Sequence, residues 1–140
     1  MKTGAILLIE DNMADAGLVR EALSEYRVTC ELTIIPDGDR AIRYLQRLDE
    51  LEACCPSLVI VDLNLPKRSG REVLQHLRQS ACARQAIIIV LSSSDAPQDR
   101  ADALQLGASH YIRKPLHLTE FLSLGSIFKS LLEASVKKQS

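Results

Sequence analysis

The chain has 140 residues, of which 46% are hydrophobic and 25% are charged, and its formal net charge is -1. Domains commonly contain about 100–150 residues, so this length predicts one domain over residues 1–140, with a core from about residue 5 to 136 and a polar tail at 137–140. The 17 basic and 18 acidic residues leave no cationic excess for nucleic acid or an anionic membrane. We therefore expect neither as a direct partner.

Cysteine spacing and short apolar runs bear on the compartment. The two longest aliphatic runs, 5–9 and 86–91, are too short for a signal peptide or a membrane span. The cysteine spacing matches neither a zinc motif nor a disulfide framework. We expect a cytoplasmic protein whose thiols are reduced and structural. The four cysteines are Cys30, Cys54, Cys55 and Cys82.

Aliphatic, β-branched runs alternate along the chain with segments of helical periodicity. Such continuous runs are typical of buried parallel strands, and the alternation predicts a parallel sheet with helices on both faces. The expected strands are 5–9, 32–35, 58–61, 87–91 and, more weakly, 110–113. Capping and first-turn residues predict helices that begin near Asn12, Asp37 or Gly38, Ser69, Pro97 and His117, the fourth ending at Gly107 and the last near Val136. Residues 47–57 form the least regular connection, which we expect to be an extended end of the second helix followed by a loop.

Polar residues follow the strands directly. In a doubly wound sheet, ligands bind beyond the carboxyl ends of the strands, so these side chains should meet at one edge. Crowded carboxylates need a compensating cation, and Mg²⁺ prefers oxygen ligands and phosphate. A shielded carboxylate can attack a phosphoryl group, while a lysine and a hydroxyl bind phosphoryl oxygens. The set predicts a site that binds Mg²⁺ and accepts phosphate: Glu10, Asp11, Asp62, Ser92, Ser93 and Lys114.

Four segments in order resemble the receiver domain of two-component response regulators: 7–12, 59–66 followed by Gly70, 90–93 and 107–115. The resemblance implies a flavodoxin-like, doubly wound α/β fold with five parallel strands in the order 2-1-3-4-5 and helices on both faces. The texture of the opening segment and of the segment around Asp62 is most similar to stand-alone regulators paired with phytochrome-type kinases.

The resemblance also implies the chemistry. Asp62 would accept a phosphoryl group from a phosphohistidine on a sensor histidine kinase. Glu10, Asp11, Asp62 and the backbone carbonyl of Asn64 would hold Mg²⁺. Lys114 would contact the phosphoryl group and, before phosphorylation, a carboxylate. Glu10 is one methylene longer than the Asp that is commoner in the family, which changes the expected metal geometry.

Further positions match the moving parts of the family. Ser92, where the family has Thr or Ser, would close onto a phosphoryl oxygen, and Tyr111 would turn inward with it. The peptide bond before Pro115 is often cis in the family, which would aim Lys114. Side chains that influence dephosphorylation in the family correspond to Asn64 and Ser94.

The last helix carries apolar side chains over more than half of its circumference, more than one sheet-facing stripe requires. Either the fourth helix covers the excess, or part of it meets a second copy of the chain through the surface of helix four, strand five and helix five. With no further module expected in 140 residues, the signal would leave through such contacts or by onward phosphotransfer.

Other interpretations remain open. Glu10, Asp11 and Asp62 could be ordinary strand-end and capping residues. A constitutive pseudo-receiver would bind partners without phosphorylation. A phosphatase of the haloacid-dehalogenase type also uses a strand-end Asp, but Asn64 stands where its second acid would be. We expect a phosphoacceptor signalling domain rather than an enzyme that turns over an external substrate.

Overall fold

The computed structural model describes residues 4–51 and 55–139. Strands and helices alternate strictly along this part of the chain, as the sequence predicts. The elements are β1 (Ala5–Ile9), α1 (Met13–Glu25), β2 (Glu31–Ile35), α2 (Gly38–Leu51), β3 (Leu58–Val61), α3 (Gly70–Gln79), β4 (Ile87–Ser92), α4 (Pro97–Gln105), β5 (His110–Arg113) and α5 (Leu118–Gln139).

The five strands form one parallel sheet in the order β2-β1-β3-β4-β5. Leu7 of β1 lies opposite Thr33 on one side and Val59 on the other, so β1 is an interior strand, and β3 is the middle strand of the five. The predicted fold class is confirmed. The helix α2 continues to Leu51, as expected for an extended second helix, and β4 extends one residue beyond the predicted strand, to Ser92.

Local side-chain caps set where several helices begin. The Asn12 side chain accepts a hydrogen bond from the Asp15 amide, and Ser69 Oγ accepts one from the Glu72 amide. Each cap satisfies an amide that has no partner in the first turn of its helix. Pro97 occupies the first turn of α4, where its missing N–H costs nothing. The helices α1, α3 and α4 therefore begin close to the predicted positions.

Alternate residues of each strand point to opposite faces of the sheet. Leu7 and Ile9 lie in the apolar core beneath α2, α3 and α4, whereas Ile6 and Leu8 lie in the core that α1 and α5 cover. Burial on both faces explains why the strands read as continuous apolar runs.

The helices α1 and α5 pack with an unusually close backbone approach. A Cβ atom on Gly125 would collide with the backbone oxygen of Ala22. The absence of a side chain at position 125 therefore lets α5 lie against α1. On the opposite side of α5, Ser123, Ser126 and Ser130 are exposed, as the helical periodicity predicts.

The expectation that the cysteines are reduced is wrong for two of them, because Cys55 and Cys82 form a disulfide. Cys55 precedes β3 and Cys82 precedes β4, and these strands pair. Their pairing brings the two Cα atoms to 5.1 Å, a distance typical of disulfides. Spacing along the chain does not reveal this proximity. Cys54 lies outside the described residues.

Among residues 4–51 and 55–139, the structure contains no helix with the length and apolar character that crossing a bilayer requires.

Candidate functional site

Three charged side chains meet at the carboxyl-terminal edge of the sheet. Glu10 follows β1, Asp62 follows β3 and Lys114 follows β5. All three are buried, with exposed fractions of 1%, 5% and 9%. Parallel strands bring their carboxyl ends to one edge, so residues distant in sequence become neighbours here. The structure therefore brings together the predicted core of the site.

Lys114 Nζ contacts three carboxylates at once. The distances are 2.7 Å to Glu10 Oε1, 2.8 Å to Asp15 Oδ2 and 3.0 Å to Asp62 Oδ2. An ammonium has three N–H donors, so all of them have a carboxylate acceptor. The sequence predicts one carboxylate partner for Lys114, and it misses Asp15.

Asp15 lies in the first turn of α1, where an acidic residue is favourable for the helix alone. The one sequence signal that could have identified it is its spacing. Asp15 follows Asp11 by four residues and lies in the first turn of a helix that begins beside the strand-end acids, although Asp11 itself precedes that helix.

Burial and charge shift two pKa values in this cluster. Burial raises the pKa of Glu10 to about 7; the neighbouring Asp62 adds to this rise, and the hydrogen bond from Lys114 opposes it. Burial alone would lower the pKa of Lys114. The hydrogen bonds to Asp15, Glu10 and Asp62 outweigh that effect and hold the pKa of Lys114 above its ordinary value. Lys114 is therefore a permanent cation in this site at neutral pH.

Glu10, Asp11 and Asp62 each place one carboxylate oxygen within 4.8 Å of the others. Asp11 is exposed, whereas the other two are buried, so the group opens to solvent on one side. Three hard oxygen donors beside an open face fit a divalent cation such as Mg²⁺, which keeps several waters in its shell. The longer Glu10 side chain joins the group while it also contacts Lys114.

The Asp62 carboxylate is held from two directions. Its Oδ1 accepts a hydrogen bond from the Asn64 amide at 3.0 Å, and its Oδ2 accepts one from Lys114. Behind it, a Cβ atom on Gly70 would overlap the backbone oxygen of Asp62 and the Cα of Leu63. Position 70 must therefore be glycine for α3 to begin this close to the Asp62 loop.

Ser92 and Tyr111 are joined through the backbone of Ser94. Ser92 is fully buried, and its Oγ accepts a hydrogen bond from the Ser94 amide at 3.2 Å. The Tyr111 hydroxyl donates a hydrogen bond to the Ser94 carbonyl at 2.9 Å, and the ring is 9% exposed. A movement of either side chain therefore acts on the same residue of the β4–α4 loop.

Ser94 also connects this loop to two helices. Its hydroxyl donates a hydrogen bond to Asp99 in α4, and Asp99 pairs with Arg71 of α3. Hydrogen bonding from Ser94 is the main cause that lowers the pKa of Asp99, and Arg71 adds to it. Arg71 also contacts Asp102 at 3.2 Å. These exposed contacts, which the sequence does not reveal, join α3, α4 and the loop.

The family's frequent cis peptide before Pro115 is not found, since the described residues contain no cis peptide bond. Lys114 Nζ lies 3.0 Å from Asp62 Oδ2 with this bond in the trans form.

Comparison with known proteins gives the same result as the geometry. Residues 6–124 match the family described as the response regulator receiver domain. The chain belongs to this family. This receiver domain is 36% identical over 120 residues to the response regulator Rcp1 of Synechocystis sp., which covers 85% of this chain and 82% of Rcp1. It is 34% identical over 111 residues to the probable methanogenesis regulatory protein FilR2 of Methanothrix harundinacea, covering 79% and 72%.

Solved structures extend the similarity to the whole fold. The Mn²⁺-bound form of Rcp1 has a TM-score of 0.80 at 34% identity and covers 91% of this receiver domain and 92% of that chain. The phosphorylated cyanobacterial phytochrome response regulator RcpA has a TM-score of 0.82 at 33% identity and covers 92% and 93%. The resemblance to phytochrome-associated response regulators is confirmed.

Proposed function

We propose that this receiver domain accepts a phosphoryl group on Asp62 from a sensor histidine kinase, in the presence of Mg²⁺. The observation that carries the proposal is the Asp62 carboxylate itself. It is held by the Asn64 amide and Lys114, and one of its oxygens lies within 4.8 Å of a carboxylate oxygen of Glu10 and of Asp11. The surroundings of that carboxylate therefore provide a nucleophile, a cation that can bind phosphoryl oxygens and an acidic group that can bind a metal ion.

The transfer forms one bond and breaks one. An oxygen of the Asp62 carboxylate attacks the phosphorus of a phosphohistidine, and the phosphorus–nitrogen bond breaks. The imidazole leaves with the bonding electron pair and takes a proton from solvent. Lys114 already lies 3.0 Å from Asp62, so its ammonium is within reach of a phosphoryl oxygen bound there.

Glu10, Asp11, Asp62 and the backbone carbonyl of Asn64 would hold Mg²⁺. The bound ion would offset the negative charge that the carboxylates and the phosphoryl group share. Lys114 alone does not balance these acids, because it already contacts three carboxylates.

The switch would begin at Ser92. Its hydroxyl would turn to donate a hydrogen bond to a phosphoryl oxygen. Ser92 Oγ would then lose the hydrogen bond that it now accepts from the Ser94 amide. The Tyr111 hydroxyl is bonded to the carbonyl of Ser94, so the ring would move with the loop. Such a change shifts the equilibrium between two arrangements of the surface formed by α4, β5 and α5.

That surface would pass the signal to a partner protein, to a second copy of the chain, or by onward phosphotransfer. Leu118 and Ile127 of α5 are 59% and 40% exposed, which supports an apolar contact there. RcpA is described as a phytochrome response regulator, which supports a phytochrome-type kinase as the phosphodonor. We infer a cytoplasmic signalling domain of residues 1–140 that has no nucleic acid partner and turns over no external substrate. The inferred location rests on the proposed kinase partner and not on the cysteines, two of which form a disulfide.

Incubation with acetyl phosphate and Mg²⁺ tests the phosphoacceptor. We expect the mass of one phosphoryl group to be added, in an adduct that is stable in acid and labile in base. Asp62→Asn should abolish the adduct. Asp39→Asn, which removes a half-exposed carboxylate of α2, is the matched control and should label as the unchanged protein does.

Three other results would each overturn the proposal. An adduct that persists in Asp62→Asn would place the phosphoryl group on another residue. Equal affinity for a partner, with and without the phosphoryl mimic beryllofluoride, would favour a constitutive pseudo-receiver. Steady turnover of a phosphate monoester would favour a phosphatase.

A further inference from the structure

The three N–H donors of Lys114 are all occupied. Glu10, Asp15 and Asp62 each accept one, at 2.7, 2.8 and 3.0 Å. A phosphoryl oxygen on Asp62 is a new acceptor for the same ammonium. Lys114 has no donor to spare for it, so one of the present contacts must be given up. The Asp62 carboxylate loses its own charge when it becomes an acyl phosphate, so Glu10 and Asp15 are the carboxylates that then compete with the phosphoryl oxygens for the ammonium.

Asp15 is the contact that is easiest to release. Its side chain is 23% exposed, whereas those of Glu10 and Asp62 are 1% and 6% exposed. Separating a buried carboxylate from its cation costs much more free energy, because water cannot reach it, than separating a partly exposed carboxylate that water can solvate at once. Asp15 is also carried by α1 rather than by a strand end, and it lies outside the group of Glu10, Asp11 and Asp62 that can share a metal.

We propose that Asp15 is a positioning residue that competes with the phosphoryl group for Lys114. In the unphosphorylated protein it holds the ammonium toward α1. On phosphorylation Lys114 transfers this hydrogen bond to a phosphoryl oxygen, and the Asp15 carboxylate turns to water. The inference rests on the proposed phosphorylation of Asp62 and assigns a regulatory residue to the same site.

The charges of the site give the competition its direction. Glu10, Asp11, Asp15 and Asp62 bring four carboxyl groups to one ammonium, and the phosphoryl group adds further negative charge. Like charges at this separation disfavour one another. Asp15 therefore opposes the phosphorylated state in two ways, by occupying a donor of Lys114 and by repelling the phosphoryl group.

The test compares Asp15→Asn with the unchanged protein at saturating Mg²⁺. The amide keeps the shape of the side chain but removes its charge. We expect phosphorylation by acetyl phosphate to become about five times faster and beryllofluoride to bind about five times more tightly, the size expected for one partly exposed charge pair. Glu21→Gln, an exposed position on the same helix, should change neither quantity.

A separate measurement distinguishes competition from general loosening of the site. Removing a negative charge should leave Mg²⁺ affinity unchanged or lower it, while phosphorylation and beryllofluoride binding increase. A purely structural role for Asp15 would instead weaken all three. Unchanged or slower phosphorylation of Asp15→Asn, or unchanged beryllofluoride affinity, would overturn the inference. Failure of the proposed function is recognised independently, because the unchanged protein would then form no adduct on Asp62.

Discussion

The two edges of the sheet satisfy their polar groups in opposite ways. At the carboxyl edge, the Lys114 ammonium contacts three carboxylates. All of its N–H donors therefore have acceptors, but one positive charge does not balance the three carboxylates. At the amino edge, the Ser135 hydroxyl donates a hydrogen bond to the Ser57 carbonyl, and a disulfide joins the loops before β3 and β4.

Asp49 completes the amino edge. Its carboxylate accepts hydrogen bonds from the Ser80 hydroxyl and the Cys82 amide, at 2.8 and 2.9 Å. The donors to Asp49 are neutral, and one of them belongs to Cys82, which is also fixed by the disulfide. The amino edge of the sheet is therefore fixed by covalent and neutral hydrogen-bonded contacts, whereas the carboxyl edge depends on a cation or a proton for charge balance.

Breaking the disulfide should give the largest change in stability. Cys82→Ser should lower the free energy of unfolding by about 3 kcal/mol, because the unfolded chain regains the freedom of a loop between residues 27 apart. Urea unfolding without reductant measures the loss, and Cys30→Ser is the control. If Asp62 were phosphorylated more slowly in Cys82→Ser, the two edges would not be independent.

The charge imbalance at the carboxyl edge should appear as a pH dependence. Glu10 holds its proton up to about pH 7 in the folded protein but releases it near 4.5 when unfolded. Over that interval the folded state binds more protons, so the free energy of unfolding falls as pH rises. We expect a loss of about 2 kcal/mol between pH 5 and pH 8 in metal-free protein.

Glu10→Gln should flatten that profile, since the amide does not titrate. The two proteins differ at this one side chain, so the difference between their profiles isolates Glu10. Lys114 contributes nothing in this window, because its raised pKa places its loss of stability at far higher pH. Parallel profiles for the two proteins would show that Glu10 ionises in the fold as it does in water.

A smaller effect is expected from the hydrogen bond between α5 and the loop before β3. Ser135→Ala should cost about 1 kcal/mol, because the Ser57 carbonyl loses a buried donor but keeps the Ile87 amide. Ser130→Ala, at an exposed position of the same helix, corrects for helix propensity. Equal stability of the two variants would show that this hydrogen bond does not stabilise the amino edge.

The sequence predicts the fold and the strand-end residues because those features follow from local pattern. Apolar runs define the strands, and parallel pairing then places Glu10, Asp62 and Lys114 at one edge. Their roles in phosphorylation remain predictions. The position of Ser92 at the end of β4 also follows from its place after an apolar run.

Tertiary proximity accounts for what the sequence does not reveal. Asp15 is an ordinary first-turn acid until β5 places Lys114 beside it. Cys55 and Cys82 are 27 residues apart, and only the pairing of β3 with β4 brings them together. The cis peptide implied by resemblance concerns an isomer that local sequence does not determine.

The distance along the chain between the acids and their ammonium has a consequence during synthesis. Lys114 follows Asp62 by 52 residues and Asp15 by 99 residues. A growing polypeptide thus exposes its acidic residues well before it contains the cation that pairs with them. The cluster cannot assemble on the ribosome until β5 has been made, so a nascent chain carries Asp62 long before it carries the ammonium that contacts it.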